Sequence, residues 1–299
     1  MTFPHAHHVL MHFTVFTVLI LSLTEMTRAG PGTGTLFGTD ANAGHLLRLN
    51  PTTGAATLVG SIGFAAPALA IDPATGIVYV GRGAGFPALY SVNPDNGTAI
   101  LVGDTGLGFA AIGSLEFSSS GALYAAVNLA GDGGTGSDHL ALIDKSTGVA
   151  TVIGSFGTCR GVVVPTFGGG TCTIQGIEAI AFDATGTLWG AKDARGPAGP
   201  AGMYKIDPAT GKATFVSPIL NAFSIPPSGG ITSLQFGCDG TLYGGTARAI
   251  ATSGDGGRLV TINPATGVFS FTGAFSATTG SSLAGLAFDH SCPAIDIKP

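Results

Sequence analysis

The sequence predicts an all-β protein built from a repeated unit of four short strands, and three observations carry that prediction. Of the 299 residues, 49 are Gly and 17 are Pro, which is typical of a chain with many turns. Hydrophobic residues make up 45% and charged residues only 10%, so the chain has material for a large core and is not a disordered polyelectrolyte. Two short phrases also recur along the chain, five times each.

The first phrase predicts a hairpin around a turn that ends in Gly. Each copy is a short strand ending in Asn or Asp, a turn, and a second strand such as ATLVG from Ala56. The two strands are named C and D. The five copies begin at Leu46, Leu89, Leu140, Met203 and Leu259.

The second phrase predicts two further strands, named A and B. Strand A alternates small and large apolar residues and begins at Ala68, Ser114, Ala179, Ser233 and Gly285. After the first four copies a turn leads to strand B, which begins at Ile77, Ala122, Thr187 and Thr241. A fifth strand B, TLFG from Thr35, stands alone near the beginning.

The order of these strands predicts a closed ring. The repeat region begins with B, C and D and finishes with an A, so the last A is expected to pair with the first three strands. The result is a five-bladed β-propeller of four-stranded antiparallel blades, closed by its C-terminal strand. The longest interval between successive A strands holds the segment from Cys159 to Cys172.

The N-terminus predicts a signal peptide over residues 1–29. An apolar stretch from Val9 to Leu23 is short for a membrane span, and Thr27 and Ala29 supply the small residues of a cleavage site. Residues 30–292 then form the propeller, and 293–299 are a tail or the start of a truncated module. We expect a secreted or periplasmic protein with no membrane span after cleavage; an uncleaved anchor is the alternative.

The four cysteines predict disulfides. An even number in an exported chain favours disulfide bonds over a metal site. Cys159 and Cys172 bracket a short loop and are expected to pair, which leaves Cys238 for Cys292. The absence of a Cys-x-x-Cys spacing argues against zinc-ribbon and thioredoxin sites.

The charge balance argues against nucleic acid as a partner. A formal net charge of -5 provides no basic surface, and the electrostatic attraction to phosphates would be missing. Motifs of serine hydrolases, P-loops and dinucleotide-binding folds are absent from the sequence.

Two glutamates are the main candidates for a catalytic or metal site. Glu116 and Glu178 are the only glutamates after residue 29, and both fall in or just before a strand A, near the propeller axis. Two carboxylates there would act as acid and base or hold a cation. The alternative is that they bond backbone amides or water. Gln235 occupies the position of Glu116 in another unit and is a candidate ligand-binding residue.

Two Asp- and Gly-rich loops supply the other candidates for ligand binding. They run from Gly131 to Asp138 and from Ser253 to Gly257, and they contain Asp132, Asp138 and Asp255. Neither loop ends in the bidentate Glu of an EF-hand, so solvated hairpin loops are the favoured interpretation and calcium the alternative.

Two columns of equivalent residues have a structural interpretation. Asn and Asp alternate before the C to D turns, so charge is not required there and turn capping is expected. The aromatic residues of the B strands are expected to pack between blades. The two columns are Asn50, Asn93, Asp144, Asp207 and Asn263, and Phe37, Tyr79, Tyr124, Trp189 and Tyr243.

The succession LAFD, TLYG, IDPATG and AT-x-VG, over about residues 34 to 290, resembles the repeat of secreted bacterial β-propellers of the NHL and YVTN types. The final AIDIKP, Ala294 to Pro299, resembles the start of a C-terminal module of exported bacterial proteins. The resemblance implies the fold. It does not select a function, since the group includes binding modules, lactonases and lyases.

Taken together, these features favour an exported binding or interaction module for an extracellular or periplasmic ligand or protein, with no cofactor required. One alternative is a lactonase- or lyase-like enzyme with its site at the mouth of the channel. A second is a structural component of the cell envelope.

Overall fold

A computed structural model describes residues 34–83, 85, 87–129, 137–160, 171–192, 200–222, 224, 226–227, 230–247, 256–272 and 282–289. Over these residues the chain forms 22 β-strands and no helix. No helix of membrane-spanning length and hydropathy therefore occurs in this part of the chain. The predictions for residues 1–29 and 293–299 lie outside the described residues.

Twenty strands form five antiparallel four-stranded blades, as predicted. Blade I contains β1 (Leu36–Asp40), β2 (His45–Leu49), β3 (Ala56–Ser61) and the last strand, β22 (Leu283–Phe288); blade II contains β4 (Ala68–Ile71), β5 (Val78–Gly81), β6 (Ala88–Val92) and β7 (Ala99–Asp104). Blade III contains β8 (Ala111–Phe117), β9 (Leu123–Asn128), β10 (His139–Ile143) and β11 (Ala150–Ser155); a separate hairpin, β12 (Thr158–Arg160) and β13 (Thr171–Thr173), follows it. Blade IV contains β14 (Ile177–Phe182), β15 (Leu188–Lys192), β16 (Gly202–Ile206) and β17 (Ala213–Ser217); blade V contains β18 (Ile231–Phe236), β19 (Leu242–Thr246), β20 (Leu259–Ile262) and β21 (Phe269–Phe271).

The ring closes as the sequence predicts. Strand β22 pairs antiparallel with β1, with Leu36 opposite Phe288 and Phe37 opposite Ala287. The A strands β22, β4, β8, β14 and β18 each contact the next one around the ring, and β18 contacts β22 again. The molecule is a five-bladed β-propeller whose A strands surround the axis.

The hydrophobic core lies between blades. Five clusters of buried apolar residues are found among the described residues, and each joins two neighbouring blades. Tyr79 and Tyr124 of two B strands each pack on a Phe of the next blade's A strand, with ring centroids 5.9 Å apart for Tyr79 and Phe117 and 5.2 Å for Tyr124 and Phe182. Such pairs contribute about 0.5–1.5 kcal/mol beyond area burial. Phe37 and Trp189 also belong to apolar clusters between blades. The interpretation of the column as packing is confirmed.

The turns between C and D strands are capped by their Asn or Asp residue. Asn50 Oδ1 accepts hydrogen bonds from the backbone N–H groups of Thr52 and Thr53 at 2.9 and 3.0 Å. Asp144 Oδ1 accepts one from the Ser146 N–H at 2.8 Å. Because amide and carboxylate oxygens cap the same turn, the column is structural, as expected.

The turn glycines have a second role that the repeat pattern did not reveal. Gly97 has a φ of 78°, and a β-carbon on it would lie 2.8 Å from the carbonyl carbon of Gly60, at the end of the preceding blade's D strand. Gly148 lies in the same way against Gly103. Glycine in both the turn and the D strand therefore lets the backbones of successive blades touch.

The disulfide between Cys159 and Cys172 is confirmed. The two residues lie opposite each other in the β12–β13 hairpin, with Cα atoms 5.2 Å apart. Cys238 is also disulfide-bonded. Its predicted partner, Cys292, lies outside the described residues.

Deleting residues 281–299 removes β22 and exposes the edge of β1, so the truncated chain should melt earlier and self-associate. Each kcal/mol lost lowers the melting temperature by about 2–4 °C for a domain of this size. Calorimetry and size-exclusion chromatography measure both effects. Deletion of residues 293–299 keeps β22 and serves as the control. A monomeric 281–299 deletion with an unchanged melting temperature would contradict the closure.

Gly97→Ala and Gly121→Ala separate packing from backbone strain. Both glycines have positive φ, 78° and 81°, but a β-carbon on Gly121 would meet no atom within 4 Å. Urea denaturation should show Gly97→Ala to be more destabilising by about 1–3 kcal/mol, the usual cost of overpacking. Equal losses would mean that the contact between blades contributes nothing.

Candidate functional site

The two ends of the propeller differ in their connections. The turn end carries the A to B and C to D connections, and every C to D connection has six residues: 50–55, 93–98, 144–149, 207–212 and 263–268. The loop end carries the B to C and D to A connections, which range from residues 41–44 to residues 156–176. Variable loops on a rigid scaffold are where binding residues usually lie.

Buried polar residues are concentrated at the loop end. Burial of such groups is costly unless they are bonded, so their accumulation at one end requires a cause other than core packing. These residues lie at the ends of B strands, in the adjoining connections or at the starts of A strands. They include Asp40, Asn128, Ser137, Asp138, Lys192, Thr232 and Thr246.

Glu178 lies at this end, at a bulge near the start of β14. The pairing of β14 with β15 skips from Ile177 to Ala179, which leaves Glu178 as the extra residue. The equivalent Gly113 and Thr232 are extra residues in β8 and β18 in the same way. A β-bulge turns a side chain away from the regular alternation of the strand, and bulges often occur beside binding sites.

The Glu178 carboxylate bridges two blades. Its Oε1 accepts a hydrogen bond of 2.9 Å from the backbone N–H of Ser137, in blade III. Its Oε2 lies against Gly113, where a β-carbon would overlap it. The Ser137 carbonyl in turn accepts the N–H groups of Gly176 and Ile177 at 2.9 and 3.3 Å. Blade IV therefore holds the end of the long B to C connection of blade III.

Asp138, the predicted loop residue, is buried beside this bridge. Its Oδ1 accepts a 2.9 Å hydrogen bond from the Leu129 N–H and lies 2.9 Å from His139 Nδ1. It therefore closes the base of the same connection. The other two predicted loop residues, Asp132 and Asp255, lie outside the described residues.

Glu116 lies in β8 towards the turn end. The side chain is buried, and its Oε1 accepts a 3.3 Å hydrogen bond from the Phe182 N–H of blade IV. Burial raises the pKa of Glu116 to about 8, and the backbone hydrogen bond offsets only part of this effect. The carboxyl group is therefore mainly protonated at neutral pH.

The structure does not bring Glu116 and Glu178 together. Glu116 contacts the backbone of Phe182, which follows Glu178 by four residues in β14. At a rise of about 3.3 Å per residue, Phe182 and Glu178 are about 13 Å apart along β14, and the two carboxyl groups are separated accordingly. Gln235, the equivalent of Glu116 in β18, donates to the carbonyl of the adjacent Phe236 at 3.3 Å.

Metal ligands of the usual kind are not grouped in the part of the chain that the structure describes, where no three His, Cys, Asp or Glu side chains meet. His45 and His139 lie in different blades, I and III. Any cation site among these residues would therefore depend on other oxygen donors as well.

Sequence reasoning missed an ion pair at the turn end. Asp72 of blade II is buried, and its Oδ2 accepts a 2.6 Å hydrogen bond from Lys145 Nζ of blade III. Burial acts to raise the pKa of Asp72, but the hydrogen bonds from Lys145, the Ala74 N–H and Thr75 outweigh it and lower the pKa. Lys145 also lies 5.6 Å from the ring centroid of Phe117. The turn end is thus joined by specific contacts across a blade seam.

Comparison with known proteins finds similar solved structures but no matching family. No protein-family model matches the sequence, and no curated protein does. The structure is similar to a gluconolactonase from Xanthomonas campestris, with a TM-score of 0.48, 9% identity, and coverage of 83% of this chain and 80% of that one. It is similar to a protein of unknown function from Bacteroides thetaiotaomicron, with a TM-score of 0.49, 10% identity, and coverage of 88% and 66%. It is also similar to TolB from Acinetobacter baumannii, with a TM-score of 0.43, 14% identity, and coverage of 81% of this chain and 53% of that one.

Glu116→Gln should remove a pH dependence of stability. The pKa is raised from 4.5 to about 8 on folding, so the folded state holds the proton more tightly and wild-type stability falls as pH rises through this window. Wild type and variant should be similar at pH 4, whereas at pH 9 the variant should be more stable by on the order of 2–5 kcal/mol.

Urea denaturation of both proteins between pH 4 and pH 9 measures this difference. Glu178→Gln, at the opposite end of the ring, is the control and should not show the same gain. A constant difference between wild type and Glu116→Gln over the whole range would mean that Glu116 is not a buried, protonated acid.

Proposed function

We propose that the chain is an exported binding module whose ligand docks at the loop end of the propeller. One observation carries this proposal: the two ends of a regular ring differ, with constant connections at the turn end and variable connections and buried polar groups at the loop end. A rigid scaffold with uniform turns at one end and connections of unequal length at the other is typical of proteins that present binding loops.

The ring supports this role because most of the contacts between its blades come from strands and short turns. Strand residues make up most of the apolar clusters, and the Asp72–Lys145 pair lies at the turn end. Connection residues such as Ile62, Phe156 and Ile219 also belong to these clusters, so the bases of the loop-end connections are part of the core. The residues of these connections outside the clusters can differ in length and chemistry at little cost to the fold. The buried polar residues at their bases hold the connections in defined positions.

Export is supported by the disulfide. A bond between Cys159 and Cys172 is consistent with an oxidising compartment. The signal peptide proposed for residues 1–29 would deliver the chain there. We place the protein in the secreted or periplasmic fraction.

The binding role is favoured over the two alternatives. A lactonase- or lyase-like reaction that used Glu116 and Glu178 as acid and base needs both carboxyl groups within hydrogen-bond reach of one substrate, and their levels along β14 are too far apart. A purely structural component of the envelope would not account for the unequal lengths of the connections at the loop end.

A ligand screen with matched variants tests the proposal. Binding to the native state raises the melting temperature, so the mature chain is screened with monosaccharides, amino acids, short peptides and divalent cations. The affinity of each hit is then measured for Asp138→Asn and Asp72→Asn, which alter one buried carboxylate at each end.

We expect Asp138→Asn to weaken binding by roughly tenfold or more, a change of about 1.4 kcal/mol, while Asp72→Asn binds as wild type. Hits that depend on Asp72 and not on Asp138 would place the site at the turn end. A screen without any shift would contradict binding of these ligand classes.

A further inference from the structure

We propose that Asn96 is a site of spontaneous chemical modification, where loss of the side-chain amide lengthens the backbone at the contact between blades I and II. The reaction consumes only water, and Asn96 lies in a C to D connection, at the turn end of the ring. The site is therefore independent of the ligand proposed for the loop end.

Asn96 departs from the pattern of the C to D turns. The other four turns have Thr at this position, also followed by Gly: Thr53, Thr147, Thr210 and Thr266. Of the seven Asn residues in the sequence, Asn96 alone precedes Gly, and the others precede Ala, Leu or Pro. Asn is a thermolabile residue, and a following Gly is flexible and leaves its backbone nitrogen unshielded. An Asn-Gly pair is therefore the sequence most prone to lose its amide.

The reaction is an attack of the Gly97 backbone nitrogen on Asn96 Cγ. A base removes the proton of the Gly97 N–H, the new N–Cγ bond closes a succinimide ring, and the Cγ–Nδ2 bond breaks as ammonia leaves. Water then opens the ring. Cleavage of the N–Cγ bond gives aspartate, whereas cleavage of the bond from the nitrogen to the main-chain carbonyl carbon gives isoaspartate. One ammonia leaves, one water enters, and nothing is oxidised or reduced.

The structure gives water access to the Asn96 carboxamide and folds it over the peptide that attacks it. Asn96 is exposed, and its Oδ1 accepts a 2.9 Å hydrogen bond from the Thr98 N–H, across the intervening Gly97. The Gly97 N–H donates to the Asn93 carbonyl at 2.9 Å. This bond must open before the nitrogen attacks, and local opening costs least in exposed turns.

The same turn forms the contact between blades I and II. A β-carbon on Gly60 would overlap the carbonyl oxygen of Asn96, so the two backbones already touch at this point. Isoaspartate routes the main chain through Cβ and Cγ and adds one atom to it between Asn96 and Gly97. Because closely packed groups have no space for an added atom, the turn must move away from Gly60.

Ageing of the purified mature chain tests the site. The folded protein and a sample unfolded in guanidinium chloride are incubated at mildly alkaline pH, and peptide mass spectrometry follows every asparagine. Enzymatic methylation of isoaspartate measures that product, and ion-exchange chromatography separates the more negative molecules. We expect Asn96 to lose its amide before every other asparagine in the folded protein. The unfolded sample should react faster, since its Gly97 N–H is not held by Asn93.

The chain offers a control within the same turn. Asn93 precedes Pro94, which has no N–H to attack with, so it should keep its amide. Asn96→Thr introduces the residue of the other four turns, where the Thr Oγ1 accepts the N–H two residues later at 3.4 Å. This variant should fold as wild type does and should not age. Asn96→Asp adds the new charge without lengthening the backbone.

We expect the isoaspartate fraction to melt about 5 °C below the unaged protein, whereas Asn96→Thr and Asn96→Asp melt close to it. Retention of the Asn96 amide in the folded protein, after the unfolded sample has lost it, overturns the site. Earlier loss at another asparagine does the same. An isoaspartate fraction that melts with the unaged protein overturns the effect on the contact between blades I and II.

Discussion

The pairing of β22 with β1 is the constraint on which the rest of the structure depends. A row of four-stranded sheets packed face to face leaves two exposed faces, one at each end of the row. Strand β22, the last one in the part of the chain that the structure describes, completes the first sheet, and β18 then meets β22 as each A strand meets the next. The blades thereby acquire two neighbours each, and their apolar faces are buried at every seam.

Closure also leaves the backbone groups on the inner edges of the A strands without strand partners, and side chains bond several of them. The inner edge of each A strand presents backbone groups without a strand partner, and these groups must be bonded. Ser114 Oγ and Glu116 Oε1 accept the N–H groups of Ile180 and Phe182 in the next blade, at 3.1 and 3.3 Å. Ser233 Oγ donates to the Leu283 carbonyl at 2.8 Å. Polar residues near the axis therefore have a structural use before any functional one.

Glu116 and Glu178 have different environments because they occupy different positions along their strands. Glu116 follows the regular alternation of β8 and is buried against one backbone amide, so it stays protonated. Glu178 is displaced by a bulge into the space beside Gly113 and Ser137, at the variable end of the ring. Because the two residues lie a few positions apart along adjacent strands, Glu116 has a structural role, whereas Glu178 is a candidate for ligand binding.

The sequence by itself determined the number, type and order of the blade strands, the closure by the last strand, the capped turns and the Cys159–Cys172 bond. These features are local or repeated, so the pattern contains their signal in each copy. The β12–β13 hairpin, the contact of Gly97 with Gly60 and the Asp72–Lys145 pair were decided by the tertiary structure. Each depends on the packing of segments distant in the chain, and spacing along one strand contains no information about which atoms of the neighbouring blade lie opposite.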